Sequence, residues 1–239
     1  MQKFLYSTSH DLRSPLTSIL GLTNLLRMEQ PNDTILDYVD KIENSAIRLD
    51  DVIKDIIRFS KNTYQRLRSE KVGVEDLIWR IIKGHEGTEE FKKIKFEVSV
   101  EENQTFYSDT ERLEIILNSI IRNAILFSDP NKSRPFVSLK ARAIMDELTI
   151  EIIDNGIGIG KTHLDHIFNM FYRATDRSKG AGLGLYVAKE AAERLKGSIH
   201  VESEIGFGSW FIITIPNDTK GKLVSRKLRL QEVSNKSLI

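Results

Sequence analysis

The first third of the chain repeats apolar residues with the seven-residue spacing that is typical of packed α-helices. Two series share this spacing, namely Leu5, Leu12, Ile19 and Leu26, and then Ile35, Ile42, Leu49 and Ile56. Between them Pro31 and Asn32 break the pattern, and Thr34 can cap the second helix. The pattern therefore predicts two helices joined by a short turn, which is an antiparallel hairpin.

The apolar stripe of this hairpin is too broad to be buried against itself. A second copy of the chain would cover it, which favours a homodimer through residues 1–67 with a four-helix bundle across a two-fold axis. The alternative is that the hairpin packs on the rest of its own chain.

From about residue 70 the pattern changes to short strands among helices. The predicted helices lie at 74–91 with an interruption around Gly84 and Gly87, at 108–127, near 164–168 and from 180 to about 195. The predicted strands lie at 95–100, 137–143, 148–154, 198–202 and 209–215. Ser108 and Glu111 have the spacing of a capping box at the start of the second of these helices. The order predicts an α+β chain, in which an α/β sandwich with helices on one face of its sheet follows the hairpin.

Composition narrows the classes of function. The 239 residues include 35 Lys and Arg against 34 Asp and Glu, which argues against broad electrostatic binding of nucleic acid. Cysteine is absent, which excludes disulfides, thiolate metal sites and cysteine nucleophiles. No apolar run reaches the ~18 residues that span a bilayer, and the N-terminus lacks the apolar core of a signal peptide. We therefore expect no membrane contact within this segment and a cytoplasmic location, either alone or as the cytoplasmic part of a membrane-anchored sensor.

His10 is the first candidate for chemistry. In the heptad frame it falls opposite the apolar seam, so we expect it on the outside of the bundle. An exposed helical histidine is usually an ordinary surface residue. Here, however, Asp11 adjoins it, Ser14 follows one turn later, and Pro15 interrupts the helix at a cost of about 3 kcal/mol. The segment SHDLRSPL is therefore predicted to be functional.

Two glycine-rich segments are the second candidate. DNGIG follows an apolar strand and holds Asp154, Gly156 and Gly158. GAGLGL precedes a helix and holds Gly180, Gly182, Leu183 and Gly184. Glycine lets a backbone approach closely, and the amides of a helix N-terminus attract phosphate, so the pair predicts a nucleotide site. Neither segment is a P-loop, and no strand leads into GAGLGL as a Rossmann signature requires.

Asn123, in the predicted helix NSIIRNAILF, is the third candidate. An asparagine in the middle of a helix is usually a surface residue or a mild liability. Its amide oxygen nevertheless suits Mg²⁺, a hard cation that keeps several waters and relies on substrate phosphates. One protein ligand can therefore be enough for a metal site here.

Together these motifs resemble the sensor histidine kinases of two-component signalling, over roughly residues 3 to 216. SHDLRSPL is similar to the phosphoacceptor box, NSIIRNA to the asparagine box, DNGIGI to the first glycine box, IFNMFYR to the phenylalanine box and GAGLGL to the second glycine box. The five occur in the family's order. The resemblance implies a dimerisation and histidine phosphotransfer hairpin over 1–67, a Bergerat-type ATP-binding domain over 70–217, and a basic tail or linker over 218–239.

The resemblance also implies a role for each motif. His10 would attack the γ-phosphorus of ATP, Asp11 would take or hold the proton on its other ring nitrogen, and Ser14 would position a water molecule. Asp154 would accept a hydrogen bond from the adenine amino group, and Asn123 would bind Mg²⁺. The other implied nucleotide contacts are Gly156, Gly158, Phe171, Arg173, Arg177, Lys179, Gly180, Gly182, Leu183 and Gly184.

The implied activity is autophosphorylation on His10 and transfer of the phosphoryl group to an aspartate in the receiver domain of a response regulator, with regulator phosphatase as a second activity. Two departures from the family keep alternatives open. Ser119 stands where the family often carries Asn, and Leu126 stands where it often carries Lys or His. The alternatives are a nucleotide-binding dimeric scaffold with little kinase turnover, and another Bergerat-type ATPase, which would need no exposed histidine on a dimerising hairpin.

Overall fold

The computed structural model describes residues 16–29, 32–144, 146–175 and 182–218. They form two compact units, each of which is described by itself. The first unit comprises the described residues up to Gln65 and those of Asn169–Val187, and the second comprises Arg66–Phe168 and the described chain from Ala188 on. Within these ranges no helix combines the length and the apolar character that crossing a membrane requires.

The first unit contains the predicted hairpin. Residues 16–28 form α1, and Asp33–Tyr64 forms α2. The Ile35 N–H donates to Asn32 Oδ1 over 3.0 Å, so the cap of α2 is Asn32 and the predicted cap, Thr34, is wrong. Arg27 of α1 pairs with Glu43 of α2 at 2.6 Å. This contact lies near the turn, whereas Leu16 of α1 packs near the far end of α2, so the two helices run antiparallel.

The apolar residues of the hairpin divide into two stripes. One is buried inside the hairpin, where Leu16 packs with Ala46, Ile53, Leu20 and Ile57. The other is exposed and includes members of both predicted heptad series, namely Ile19, Leu26, Ile35, Ile42 and Leu49, together with Leu22. The heptad residues therefore do not close the hairpin; they form an apolar face on its outside.

The second unit is built on a five-stranded sheet. Its strands are β2 Lys95–Glu102, β4 Phe136–Ala143, β5 Glu147–Asp154, β6 Ser198–Glu204 and β7 Gly208–Pro216, in the order β2-β4-β5-β7-β6. β2 and β4 are parallel, and the remaining pairs are antiparallel. All five were predicted. The sequence did not predict the two-stranded sheet of β1 Glu70–Val72 and β3 Phe106–Ser108.

The helical segments outside the hairpin are α3 Val74–Lys83, a 3₁₀ turn at Phe91–Lys93, α4 Thr110–Leu126, α5 Lys161–Leu164 and α6 Gly184–Arg194. The helix predicted over 74–91 is interrupted at Gly84, as expected, where α3 ends. The predicted capping box at Ser108 is wrong, because Ser108 belongs to β3. Asp109 caps α4 instead, and its Oδ1 accepts the Arg112 N–H over 3.1 Å.

The core of the second unit lies between the sheet and two helices. Alternate strand residues are fully buried, among them Leu139 on β4, Ile152 on β5 and Ile213 on β7. α4 packs on β5 and on α3, and α3 packs on β2. Lys140 and Arg142, which point to the opposite face of β4, are exposed. The predicted order of a helical hairpin followed by an α/β sandwich is confirmed.

β3 and the residue after it bond to two segments of the second unit that are distant in sequence. The Arg68 N–H, in the segment before β1, donates to Asp109 Oδ2 over 2.7 Å. At the other end, the Tyr107 N–H donates to Asn217 Oδ1 and the Asp218 N–H donates to the Tyr107 carbonyl, both over 2.9 Å. Arg68 and Asp218 are therefore held beside the same short strand.

Candidate active site

The predicted site residues fall into three groups. His10, Asp11, Ser14, Arg177, Lys179 and Gly180 lie outside the described residues. The second unit holds Asn123, Asp154, Gly156 and Gly158, and the first unit holds Phe171, Arg173, Gly182, Leu183 and Gly184.

Asp154 is the last residue of β5 and continues its buried row of alternate side chains. It lies opposite Ser209 of β7, and both residues are buried. Its Oδ1 accepts the Gly156 N–H over 2.8 Å, and Ser209 also bonds the carboxylate through its backbone and its hydroxyl. A hydrophilic acceptor is thus fixed at the end of an otherwise apolar row.

The pKa of Asp154 reflects this setting. Burial raises it from 3.8 to about 6, while the bonds from Gly156 and Ser209 and the charge of Lys132 act in the opposite direction. At neutral pH the carboxylate is therefore ionised, with part of its hydration replaced by fixed donors. Such a group suits a ligand that offers an N–H donor.

The glycines after Asp154 permit backbone contacts that a side chain would block. A Cβ on Gly156 would lie 2.4 Å from the carbonyl oxygen of Phe127, which also accepts the Ile157 N–H over 3.0 Å. Gly158 has φ +71°, and a Cβ there would lie 1.9 Å from the carbonyl oxygen of Glu204. The loop is therefore held against the end of α4 on one side and the end of β6 on the other.

Asn123 lies on α4, one helical turn before Phe127, and is half-buried. Because Phe127 contacts the glycine loop, Asn123 lies at the end of α4 that adjoins Asp154. Ser119 precedes Asn123 by one turn and is buried, and Leu126 follows it and is half-buried. The amide oxygen is the kind of ligand that a hard cation accepts when phosphates supply its other ligands.

In the first unit the phenylalanine-containing and second glycine-rich segments contact one another. Gly182 has φ +73°, and a Cβ there would lie 2.6 Å from the Tyr172 carbonyl oxygen. Phe171 is exposed and has φ 63°, a left-handed conformation that is uncommon for a bulky residue. Leu183 is buried and Gly184 begins α6, so the backbone before this helix is anchored by an apolar side chain.

Sequence reasoning did not identify three contributors to the carboxylate site. Ser209 bonds Asp154, Phe127 supports the glycine loop, and Lys132 lowers the pKa of Asp154 while donating to the Gly206 carbonyl over 2.8 Å. Each acts across elements that are distant in sequence, and no local pattern marks them.

Two family models match the chain. The model described as "Histidine kinase-, DNA gyrase B-, and HSP90-like ATPase" matches residues 108–219. The model described as "His Kinase A (phospho-acceptor) domain" matches residues 1–65. The two matches do not overlap, and they follow the order of the motifs in the sequence.

Similar proteins carry related names. "Autoinducer 2 sensor kinase/phosphatase LuxQ" of Vibrio cholerae is 31% identical over 226 residues, covering 90% of this chain and 26% of that protein. "Sensor histidine kinase YclK" of Bacillus subtilis is 30% identical over 233 residues, covering 92% of this chain and 47% of that protein. The chain thus spans about a quarter to a half of the length of these relatives.

Among solved structures, full-length ShkA in complex with AMPPNP matches with a TM-score of 0.69 and 25% identity, covering 91% of this chain and 46% of that one. The Acinetobacter baumannii histidine kinase AdeS matches with a TM-score of 0.60 and 23% identity, covering 88% of this chain and 98% of that one. The second likeness concerns the fold alone.

Proposed function

The chain belongs to the sensor histidine kinases, and from this premise we propose that it phosphorylates itself on His10 with ATP and passes the phosphoryl group to an aspartate in the receiver domain of a response regulator. The observation that carries the proposal is the buried carboxylate of Asp154, fixed beside a glycine loop in a unit whose family model is an ATPase. The phospho-acceptor model over residues 1–65 disfavours the other Bergerat-type ATPases, which need no such hairpin.

Asp154 would recognise the base of the nucleotide. Its ionised carboxylate accepts an N–H donor, and the exocyclic amino group of adenine is such a donor whereas the carbonyl of guanine at the same position is not. Gly156 and Gly158 hold the backbone beside the carboxylate without side chains that would fill the space. This geometry supports adenine as the base.

The phosphate chain and its cation would be held by other motif residues. Asn123 would bind Mg²⁺, which supplies neutralising charge to the phosphates when it is present. The orphan amides at the start of α6, at Leu183 and Gly184, favour an anion. By resemblance, further contacts are proposed for Phe171, Arg173, Arg177, Lys179, Gly180 and Gly182.

The reacting histidine would lie in the hairpin. A neutral His10 has a nitrogen lone pair that can attack the γ-phosphorus, and Asp11 would take or hold the proton on the other nitrogen. Ser14, one turn later, would position the water that hydrolyses the phosphoaspartate of the regulator. We propose the division into residues 1–67, 70–217 and 218–239 on the same basis. ATP and a receiver domain as substrates favour a cytoplasmic location.

Dimerisation is proposed from the exposed face of the hairpin. Ile19, Leu22 and Leu26 on α1, and Ile35, Ile42 and Leu49 on α2, are each more than a third exposed, although they keep heptad spacing. Covering this face with the same face of a second chain would complete a four-helix bundle.

The proposal is tested by incubating the chain with ATP labelled at the γ-phosphate. Label that stays on the protein in base and is released in acid is the expected result, since phosphohistidine has this stability. A chain that binds ATP and takes up no label would instead be a nucleotide-binding scaffold, and the proposed kinase activity would be wrong.

A further inference from the structure

One face of α4 beside the glycine loop carries three polar side chains and Leu126. Ser119, Arg122, Asn123 and Leu126 have the spacing i, i+3, i+4 and i+7, so they share one face of the helix. This face differs from the one that packs into the core, where Ile116, Ile120 and Ala124 are buried. The predicted cation ligand, Asn123, therefore has two polar neighbours on its own face of the helix, Ser119 and Arg122, to which the resemblance assigns no role.

Two polar atoms of this face are buried and lack a hydrogen bond within the described chain. They are Ser119 Oγ, on a residue that is only 7% exposed, and Arg122 Nε. A buried hydroxyl or guanidinium nitrogen that has lost its water and gained no partner is costly, so each calls for a partner such as a water molecule, an ion or a ligand. Both lie within one helical turn of Asn123.

Arg122 also differs from other arginines of the second unit in its charge partners. Arg112 pairs with Asp109 at 2.7 Å, and Arg80 and Arg142 each pair with a glutamate at 3.0 Å. For Arg122 the described residues offer no ion pair, although its Nε is buried. Its positive charge is thus available to an anion.

We propose that Arg122 binds the phosphate chain of the nucleotide and supplies the positive charge that Leu126 cannot, with the Ser119 hydroxyl as a second donor. This inference rests on the proposed function and concerns the same site. A guanidinium offers paired N–H groups that match phosphate oxygens, so it can replace a lysine from a position one turn earlier. The arrangement favours nucleotides with two or three phosphates over those with one.

The ratio of ATP affinity to AMP affinity tests the proposal, measured by calorimetry with Mg²⁺ present. Arg122→Gln is expected to lower this ratio tenfold or more, because ATP loses a contact that AMP does not make. Arg142→Gln, which removes a charge from the outer face of the sheet, is the matched control and is expected to keep the ratio. Adding Leu126→Lys to Arg122→Gln is expected to restore part of it. A folded Arg122→Gln variant whose ratio stays within twofold of the unmodified chain overturns the proposal.

A second measurement needs no substitution. Phenylglyoxal modifies arginine side chains, and mass spectrometry locates the modified residues. ATP is expected to protect Arg122 at least threefold more than AMP does when both are saturating, while Arg142 is modified equally under all conditions. Equal modification of Arg122 with and without ATP overturns the proposal.

Asp154→Asn separates this proposal from the proposed function. That variant is expected to weaken the binding of ATP and of AMP by the same factor, so the ratio of the two affinities should stay unchanged. If the unmodified chain binds neither nucleotide, the proposed function is wrong and the role of Arg122 is wrong with it. If both bind and only the Arg122 variant fails to change the ratio, the role of Arg122 alone is wrong.

Discussion

The two units treat their apolar residues differently. In the hairpin, Leu22 is 61% exposed and Met28 is 79% exposed, and the exposed apolar residues run in stripes along both helices. In the second unit, alternate residues of β4, β5 and β7 are closed between the sheet and α3 and α4. A single chain therefore completes the core of the sheet but leaves one face of the hairpin uncovered.

This difference indicates a division of labour. The unit that is complete in one chain carries Asp154 and Asn123, the side chains proposed to hold the base and its cation. The unit that a second chain would complete carries the segment with the proposed phosphoacceptor. Binding and transfer should therefore respond separately to substitution.

The largest effect is expected from His10→Gln. Self-labelling should fall below detection, because no other group supplies the attacking nitrogen, while ADP affinity should stay within twofold. Labelling with γ-phosphate-labelled ATP and calorimetry with ADP measure the two properties. His200→Gln, at an exposed position on β6, is the control and should change neither. Loss of both properties in the His10 variant would contradict the division of labour.

The second-largest effect is expected from Ile42→Lys, which places a charge on the exposed apolar face of the hairpin. A charge placed in the centre of an apolar interface is poorly solvated, so the dimer dissociation constant should rise at least about a hundredfold. Sedimentation velocity measures it. Asn44→Lys, at an exposed polar position of the same helix, should leave the dimer intact. An unchanged dimer in both variants would place the interface elsewhere.

Asp154→Asn should weaken the binding of ADP by about tenfold to a hundredfold. The amide can still accept a bond, but it loses charge assistance of about 1–3 kcal/mol and turns donors toward the adenine amino group. Calorimetry measures the affinity, and Glu151→Gln on the outward side of β5 is the matched control. ADP affinity that is unchanged by Asp154→Asn would remove this carboxylate from base recognition.

The Asp154→Asn variant should also change how the stability of the second unit depends on pH. The pKa of Asp154 is raised in the folded state to about 6, so the folded chain holds this proton more tightly than the unfolded chain does. The stabilisation is present below pH 3.8 and is lost as the pH rises through about 6. Without nucleotide, the Asp154→Asn variant should therefore be more stable than the unmodified chain at pH 8. Its free energy of unfolding should be higher by at most about 3 kcal/mol, and this gain should shrink toward pH 4. ADP affinity of the unmodified chain should fall below pH 6. Calorimetric melting at pH 4, 6 and 8 checks this, and a gain that grows on acidification would contradict it.

The smallest effect is expected from Ser14→Ala, within the hairpin itself. Regulator dephosphorylation should fall severalfold, because a water molecule would lose a positioning contact, while labelling of His10 should be spared. Following phosphorylated regulator over time separates the two. Equal loss of both would indicate damage to the helix, and loss of neither would remove Ser14 from the mechanism.

Local patterns in the sequence predicted most of the elements. The apolar pattern located all five strands of the larger sheet, and heptad spacing located α1 and α2. The errors concern details that several residue types can satisfy. Asn32 and Asp109 cap their helices in place of Thr34 and Ser108, since a polar residue one or two positions away is equally able to accept an N–H.

What the sequence could not predict depends on contacts between distant segments. The parallel pairing of β2 with β4 and the small β1–β3 sheet have no local signature. Asp154 was identified from DNGIG, but its raised pKa results from burial and from Ser209 across the sheet. The exposure of the heptad stripe likewise depends on contacts between the two helices, because Leu16, Ala46 and Ile53 close the hairpin in its place.

The hydrogen bonds around β3 have a mechanical consequence. Since Asn217 and Asp218 are both bonded to Tyr107, tension applied at Asp218 would load these bonds before it peeled β7 from the sheet. The Arg68 N–H bonds Asp109 at the same corner, so a pull between Arg68 and Asp218 would load β3 and the start of α4 before the larger sheet.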